Sequence, residues 1–492
     1  MILLKSTYIL HIITFAYQQS RFGVFILEGG VPLEPTTTIR DHLERYLKRE
    51  QMSISLFSEL SGINSGTLSN ILNKNRPISM QQLDRITAAM KLAAGHFYEL
   101  YIDECFVHAT PDWRRLGPFL HRCAELDKLD CIEEVIRLMM DNLSYIPLLF
   151  DVAEEFYHAG KWKPATLLYE TIAESEKMQH SERLALCQYR LFKLGLTNDQ
   201  QRNVIIAAQF EYYVDRLDER YQLDALNELI NAFASLHRWS KVQELSEKLR
   251  VKATIHYELN GRRKAEETKR PIIFYIMYAY LAAGSAYFHL DNYETALKYV
   301  ALYSDSSWVN NPDHEEMVVI QQFQEWAEGN RYIYQLMAGQ FEILPQYLAY
   351  ISTKENEIFP ALCDIVSAAN RYDMDIDDVL EQYAPHFTYQ EQKNRIGKVS
   401  KQVTDDRYVR LLAGLGKYCL KRDRFAQGLN FILDSLRFAI EICDGRGMLR
   451  SVGLFEQYRD YASDTAIQQY KILIGEVQKI NEEKAGFADS YL

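Results

Sequence analysis

Two segments far apart in the chain carry the same residue classes at the same offsets. VAEEFYHAGKWKPATLLYETI places Ala153, Phe156, Gly160, Trp162, Ala165, Tyr169 and Ile172. AAGSAYFHLDNYETALKYVALY places Gly284, Tyr287, Asp291, Tyr293, Ala296, Val300 and Tyr303 in the same register. The spacing predicts two short helices joined by a turn. A small residue lets the helices approach, an aromatic fills the gap, and an Ala on the second helix accepts it. One such unit cannot bury its apolar face alone, so the pattern demands a stack of them. Weaker copies align around Trp239, Phe341 and Phe425, and fainter ones near Cys131, Gln200 and Ile376. Together they predict roughly seven to nine helix pairs. No strand-like alternation follows Tyr101, and 12 prolines and 22 glycines in 492 residues suit long helices better than a turn-rich β fold.

The repeated pattern resembles the tetratricopeptide repeat, with spacings irregular enough to make the copies divergent; helical hairpins without solenoid geometry are the alternative. The resemblance implies a superhelix whose concave groove, lined by the first helix of each pair, is a common peptide-binding surface. In that register the groove presents Glu154, Tyr157, Asp224, Asn227, Asn231, Tyr278, Leu281, Ser285, Phe288, Arg410 and Lys417. Asn side chains clamp an extended backbone by donating and accepting at once. Arg410 and Lys417 suit a carboxylate. For each residue the competing reading is an ordinary solvated helix face.

The start of the chain reads differently. TTTIRDHLERYLKREQM sets Ile39, Leu43 and Leu47 at helical spacing, with Thr36–Thr38 as caps. A second short helix is expected over Ser55–Leu60 with Leu56 and Leu60 on one face, then a sharp turn at Gly62, where only Gly is left-handed without steric cost. Ile63 plugs the core, and Asn64 caps a third helix, Ser65–Leu72, with Leu68, Ile71 and Leu72 inward. Ser79 caps a fourth, with Met80, Leu83, Ile86 and Met90 inward. Two short helices about a Gly turn form a helix-turn-helix. The outer face of the third helix is small and polar, as a DNA major groove requires. Ser65, Gly66, Thr67, Ser69 and Asn70 fit there, Asn70 suits adenine, and Asn73, Lys74 and Arg76 suit phosphates.

SISLFSELSGINSGTLSNILNKNRPISMQQLDRITAAMKL closely resembles the Cro/CI-type (xenobiotic-response-element-like) helix-turn-helix family over about Ile39–Tyr101. The resemblance puts Ser55, Ser65, Gly66, Thr67 and Asn70 at base- or backbone-facing positions. The family often uses Gln or Arg for strong base contacts, and none stands there in this chain. Modest specificity per half-site would then require two half-sites and a dimer. A helical domain limited to protein contacts is the alternative.

A formal charge of −12 argues against a nucleic-acid-coated protein, yet Ile39–Cys105 holds eight basic and eight acidic residues, so the acidity lies elsewhere. The seven cysteines are scattered and odd in number, which suits reduced thiols on helix faces. The first residues, MILLKSTYILHIITFAYQQS, lack a clean signal-peptide core and are interrupted for a membrane span. Glu28-Gly29-Gly30 can be encoded by a purine-rich ribosome-binding site with a start codon at Leu33, so residues 1–32 are expected to be leader read as protein. No P-loop, HExxH, nucleophile elbow or dinucleotide fingerprint is present. The glycines near Gly414–Gly416 lack P-loop spacing, NPDHEEM lacks a second His, and DMDIDDVLE lacks the calcium-loop Gly and Glu. The chain therefore reads as a non-enzyme without cofactor or metal.

The expected architecture is all-α, a small helix-turn-helix domain followed by a superhelical array of divergent tetratricopeptide-like pairs. Its divisions are a leader over 1–35, a DNA-binding domain over 36–105, repeats over 106–480 and a tail over 481–492. That combination resembles the peptide-sensing regulators of Gram-positive bacteria, the PlcR, NprR and Rgg-type proteins and the phage arbitrium receptors. The resemblance implies a cytoplasmic homodimer, away from membranes, with a DNA operator and a short signalling peptide as partners. A DNA-tethered protein scaffold and a regulator of phosphorelay proteins are the competing classes.

Overall fold

The computed structural model describes residues 37–107, 111–179, 181–197, 199–260 and 268–488. The leader reading, the Leu33 start and the Thr36 cap lie outside them. The described residues are almost entirely helical and form two compact units that divide after Leu143.

The first unit contains α1 (Ile39–Arg49), α2 (Ile54–Ser61), α3 (Ser65–Leu72), α4 (Met80–Ala89), α5 (Tyr98–Phe106), α6 (Trp113–Glu125) and α7 (Leu129–Met139). Its local signals match the caps expected for such helices. Thr38 and Ser79 form capping boxes with Asp41 and Gln82, and Asn64 accepts from the Gly66 N–H at 2.9 Å. Gly62 closes α2 in the left-handed region at φ +65°. Two details depart from expectation. α2 starts at Ile54, capped by Ser53, and turns Phe57 inward, leaving Leu56 and Leu60 48% and 58% exposed. The unit also runs well past Cys105. Phe119 of α6 packs against the rings of Tyr98 and Tyr101 at 5.1 and 5.2 Å, and Arg122 pairs with Asp84 at 2.8 Å. These long-range contacts bind α6 to α4 and α5, so the stretch around Cys131 belongs to this unit instead of to the repeats.

The second unit is an array of paired helices. Its order is α8 (Ile146–His158), α9 (Trp162–Ser175), α10 (Glu182–Gly195), α11 (Gln200–Glu211), α12 (Glu219–Ser235), α13 (Trp239–Asn260), α14 (Ile272–His289) and α15 (Tyr293–Ser304). There follow α16 (His314–Met337), α17 (Leu344–Ser352), α18 (Glu355–Tyr372) and α19 (Asp377–Tyr383). A two-stranded hairpin, β1 (Lys393–Asn394) and β2 (Gly397–Lys398), precedes α20 (Lys401–Leu420), α21 (Phe425–Glu441), α22 (Gly445–Gln457) and α23 (Asp464–Ala488). α23 overruns the repeat boundary expected at 480. Among the described residues α14 is long and apolar enough to cross a membrane, and 67% of it is buried inside the array.

The register read from sequence coincides with a backbone feature. Gly160, His237, Asp291, Gly339 and Asp423 all have positive φ, and each lies two residues before the aromatic of its copy. That aromatic then opens the next helix at Trp162, Trp239, Tyr293 and Phe425, and a short 3₁₀ turn at Phe341. Left-handed residues end the first helix and turn the chain back. Trp162 is an exception to gap-filling: it is 64% exposed, while Phe156 and Tyr169 occupy the interface.

Helices α12, α14, α16, α18 and α20 each pack on the next as the inner layer, and α20 also packs on α12. The array therefore curls until its inner helices enclose a lumen. Two glycines allow a close approach of α20 to α21. A Cβ on Gly416 would lie 3.0 Å from the Gly428 carbonyl oxygen and 2.5 Å from Ile432. Gly416→Ala is expected to cost about 1–3 kcal/mol of stability by overpacking. Asp423→Gly, at an exposed left-handed position, should change stability by less than about 1 kcal/mol. Urea unfolding of the two variants checks the contrast.

Candidate functional sites

In the first unit the polar face of α3 is open. Ser65, Gly66 and Asn70 are exposed, Thr67 and Ser69 half-buried, and Asn73, Lys74 and Arg76 project from the following loop. Ser55 is also exposed, in the first turn of α2. Leu68 and Ile71 anchor the opposite face in the core.

What orients α3 is a buried arginine that the sequence reading counted only as a charge. Arg40 is 6% exposed and forks onto Glu104, which is 3% exposed, with one arm at 2.7 Å. Its Nε donates to the Ile71 carbonyl at 2.8 Å, at the end of α3, and the same Nη2 that makes the 2.7 Å bond also reaches the Arg76 carbonyl at 3.3 Å. Arg85 donates to the Gly62 carbonyl at 3.0 Å and steadies the turn. The available sequence signal was an arginine three residues before Leu43, on the apolar face of α1; its partner lies on α5. Removing one member of a buried pair strands the other charge. Arg40→Ala should cost about 3–5 kcal/mol locally, read as lost hydrogen-exchange protection in α3 and α5. Replacing both partners with Met and Leu should recover most of it.

In the second unit the lumen has a volume of about 360 Å³, within the range that takes small ligands. Asn227, Asn231, Tyr278, Leu281, Ser285, Phe288 and Arg410 line it together, from α12, α14 and α20. The Tyr278 hydroxyl donates to Asn231 Oδ1 at 2.8 Å, and the Asn231 amide donates to the Asn227 carbonyl at 3.0 Å. Asn227 Oδ1 is buried without a donor. A smaller cavity of about 250 Å³ shares Asn231, Ser235 and Ser400 with the lumen.

The other groove residues expected from sequence lie elsewhere. Glu154 is held by Arg190 at 2.7 Å, and that guanidinium also covers the Tyr157 ring at 4.4 Å. Asp224 is buried, accepting from Tyr275 and from the Lys269 amide at 2.6 and 3.1 Å. Lys417 is exposed, off the lumen. Their helices belong to the array, but helix rotation and the closing curvature turn these side chains into packing contacts or outward.

Sequence reasoning missed three parts of the lumen. His237 Nε2 lies 2.7 Å from Asp406 Oδ1, and Arg410 Nε donates to Asp406 Oδ2 at 3.0 Å, joining the α12–α13 turn to α20. Burial opposes the Asp406 charge, but Arg410 and then His237 outweigh it and hold the carboxyl far below the usual range. The hairpin supplies Lys393, Asn394, Ile396 and Lys398 to the lining. It is pinned by Arg395, which forks onto Glu325 at 2.7 and 3.0 Å and donates its amide to Gln322 at 2.8 Å. Helix α18 adds Glu357, Cys363 and Asp364, and burial pushes the Cys363 thiol up to about 12, which leaves it protonated and inert.

No protein-family model matches the chain, and no curated protein does. Among solved structures, a circular tandem repeat protein with novel repeat topology and enhanced subunit contact surfaces is similar at 10% identity over 90% of each chain, with a TM-score of 0.12. A likeness that weak leaves fold and function to be argued from the chain's own residues.

His289 lies flat on Trp239 in the lumen wall, ring centroids 4.0 Å apart. Burial, then Arg410 and His237, drive its pKa well below the ordinary value. The folded array thus keeps His289 neutral while the unfolded chain protonates it near pH 6.5, so its effect is to make stability fall as pH drops below about 6.5. His289→Phe should flatten the melting temperature between pH 7 and 5.

Proposed function

We propose that this protein is a DNA-binding transcriptional regulator whose helical array senses a short peptide in its lumen. The observation that carries the reading is the lumen itself. It gathers Asn227, Asn231, Tyr278 and Arg410 around one cavity, with amides able to donate to and accept from a peptide backbone. The first unit supports the other half. A Gly62-turned pair of short helices presents Ser65, Thr67, Ser69 and Asn70 outward, with Lys74 and Arg76 alongside, the residue types a helix-turn-helix uses on bases and phosphates. The close likeness of this stretch to Cro/CI-type sequences agrees with it.

In this reading the array is a divergent tetratricopeptide superhelix and the protein a cytoplasmic homodimer that spans two half-sites. The peptide alters operator affinity only through a difference in its affinity for two arrangements of the protein, since equal binding to both shifts nothing.

A gel shift of the full chain on its own upstream region, at stated salt, with and without peptides encoded by neighbouring short frames, tests the proposal. One peptide should change the shift. Asn70→Ala should weaken specific binding by about 1–3 kcal/mol, while Lys74→Ala should weaken all sequences alike and reduce the salt slope by about 0.9. A shift indifferent to every peptide would favour a DNA-tethered scaffold, and no shift at all would sink the DNA-binding half.

A further inference from the structure

The lumen holds two carboxylates with no hydrogen bond or ion pair of their own. Glu357 and Asp364 stand seven residues apart on α18, two helical turns, which places them on one face with about 10 Å between them. Both line the lumen. Neither accepts a hydrogen bond or joins an ion pair among the described residues, and burial raises the pKa of both. The nearest cations are committed elsewhere. Arg410 is paired with Asp406 at 3.0 Å, and Arg407 donates to Gln392 Oε1 at 2.8 Å. Arg410 and Arg407 temper Asp364 at a distance, and Arg407 and Lys354 temper Glu357, without pairing with them.

An unpaired carboxylate drawn into a protein lumen is costly, and a structure keeps one when a ligand meets it. On α12, Asn227 Oδ1 is likewise buried without a donor. These three unmet groups are all acceptors. Arg270, Lys393 and Lys398 also line the lumen, so it is these acceptors, and not the overall charge of the wall, that favour a ligand with N–H donors and positive charge.

We propose that the lumen recognises peptides carrying a basic residue, whose ammonium or guanidinium is received by Asp364 and Glu357 while Asn227 accepts a peptide N–H. This inference rests on the peptide-sensing reading above and adds the chemical class of the peptide. Aliphatic or acidic peptides of equal length would leave the carboxylates unpaired and bind more weakly. A peptide with two basic residues three positions apart, extended over about 10 Å, would meet both carboxylates at once.

The test uses the full chain and synthetic hexapeptide pools of random sequence. One pool carries a single fixed arginine, a second carries neutral, near-isosteric citrulline at that position, and a third carries aspartate. Binding is read by native mass spectrometry and thermal shift. The arginine pool should bind at least about tenfold more tightly than the citrulline pool, the size expected for a charge-assisted contact. In Asp364→Asn combined with Glu357→Gln the preference should fall towards unity, and the melting temperature of the unliganded protein should rise, because two half-buried carboxylates without partners are gone. A rise in melting temperature also shows that the variant is folded. Equal binding of arginine and citrulline pools, or a preference that survives in the double variant, would overturn the assignment and leave peptide sensing standing. Failure of all three pools on the wild-type chain would overturn peptide sensing, and this assignment with it.

Discussion

The second unit depends on one contact between residues far apart in sequence, His237 with Asp406. Solenoids ordinarily stack each repeat on its neighbours alone and stay open along one face. Here the inner helix α20 returns to α12, and His237, Asp406 and Arg410 form the polar joint there. A polar joint of this kind is sound in such a place only when each member is satisfied, because an unpaired ion in a confined space is costly. Closure turns a groove into a lumen. It also explains the electrostatics of the wall, since it restricts water around His289, Glu357 and Asp364 and so shifts all three towards their neutral forms.

The first unit uses the same device at smaller scale. Its apolar core could be built by many helical sequences, but the attitude of α3 depends on the Arg40 fork. One guanidinium ties the end of α3, the loop after it and Glu104 of α5 into a single joint. The exposed face of α3 is free to carry small polar residues because its fixation is entirely on the buried side.

Much was legible in the sequence because it is written in local chemistry. Caps at Thr38, Asn64 and Ser79, the left-handed turn at Gly62, and the periodic Ala and aromatic positions act within a turn or two of their own backbone. The tetratricopeptide-like register located the turns from Gly160 to Asp423, and it brought Asn227, Asn231, Tyr278, Leu281, Ser285, Phe288 and Arg410 to one surface. It failed at Glu154, Tyr157, Asp224 and Lys417, where a small rotation of a helix about its axis exchanges a groove position for a packing one. It failed again at Cys105, where continuing helical periodicity gave no sign that α6 packs back onto Tyr98 and Tyr101.

The sequence by itself determined the helices, their pairing and the small polar surface of α3, since propensity, capping and periodicity are properties of neighbouring residues. Only the tertiary structure decided that Arg40 is buried, that the hairpin after Tyr389 lines a cavity, and that the array closes. Those outcomes depend on the summed curvature of many helix pairs and on ion pairs between residues remote in the chain. No local pattern encodes which distant charge will arrive to meet another.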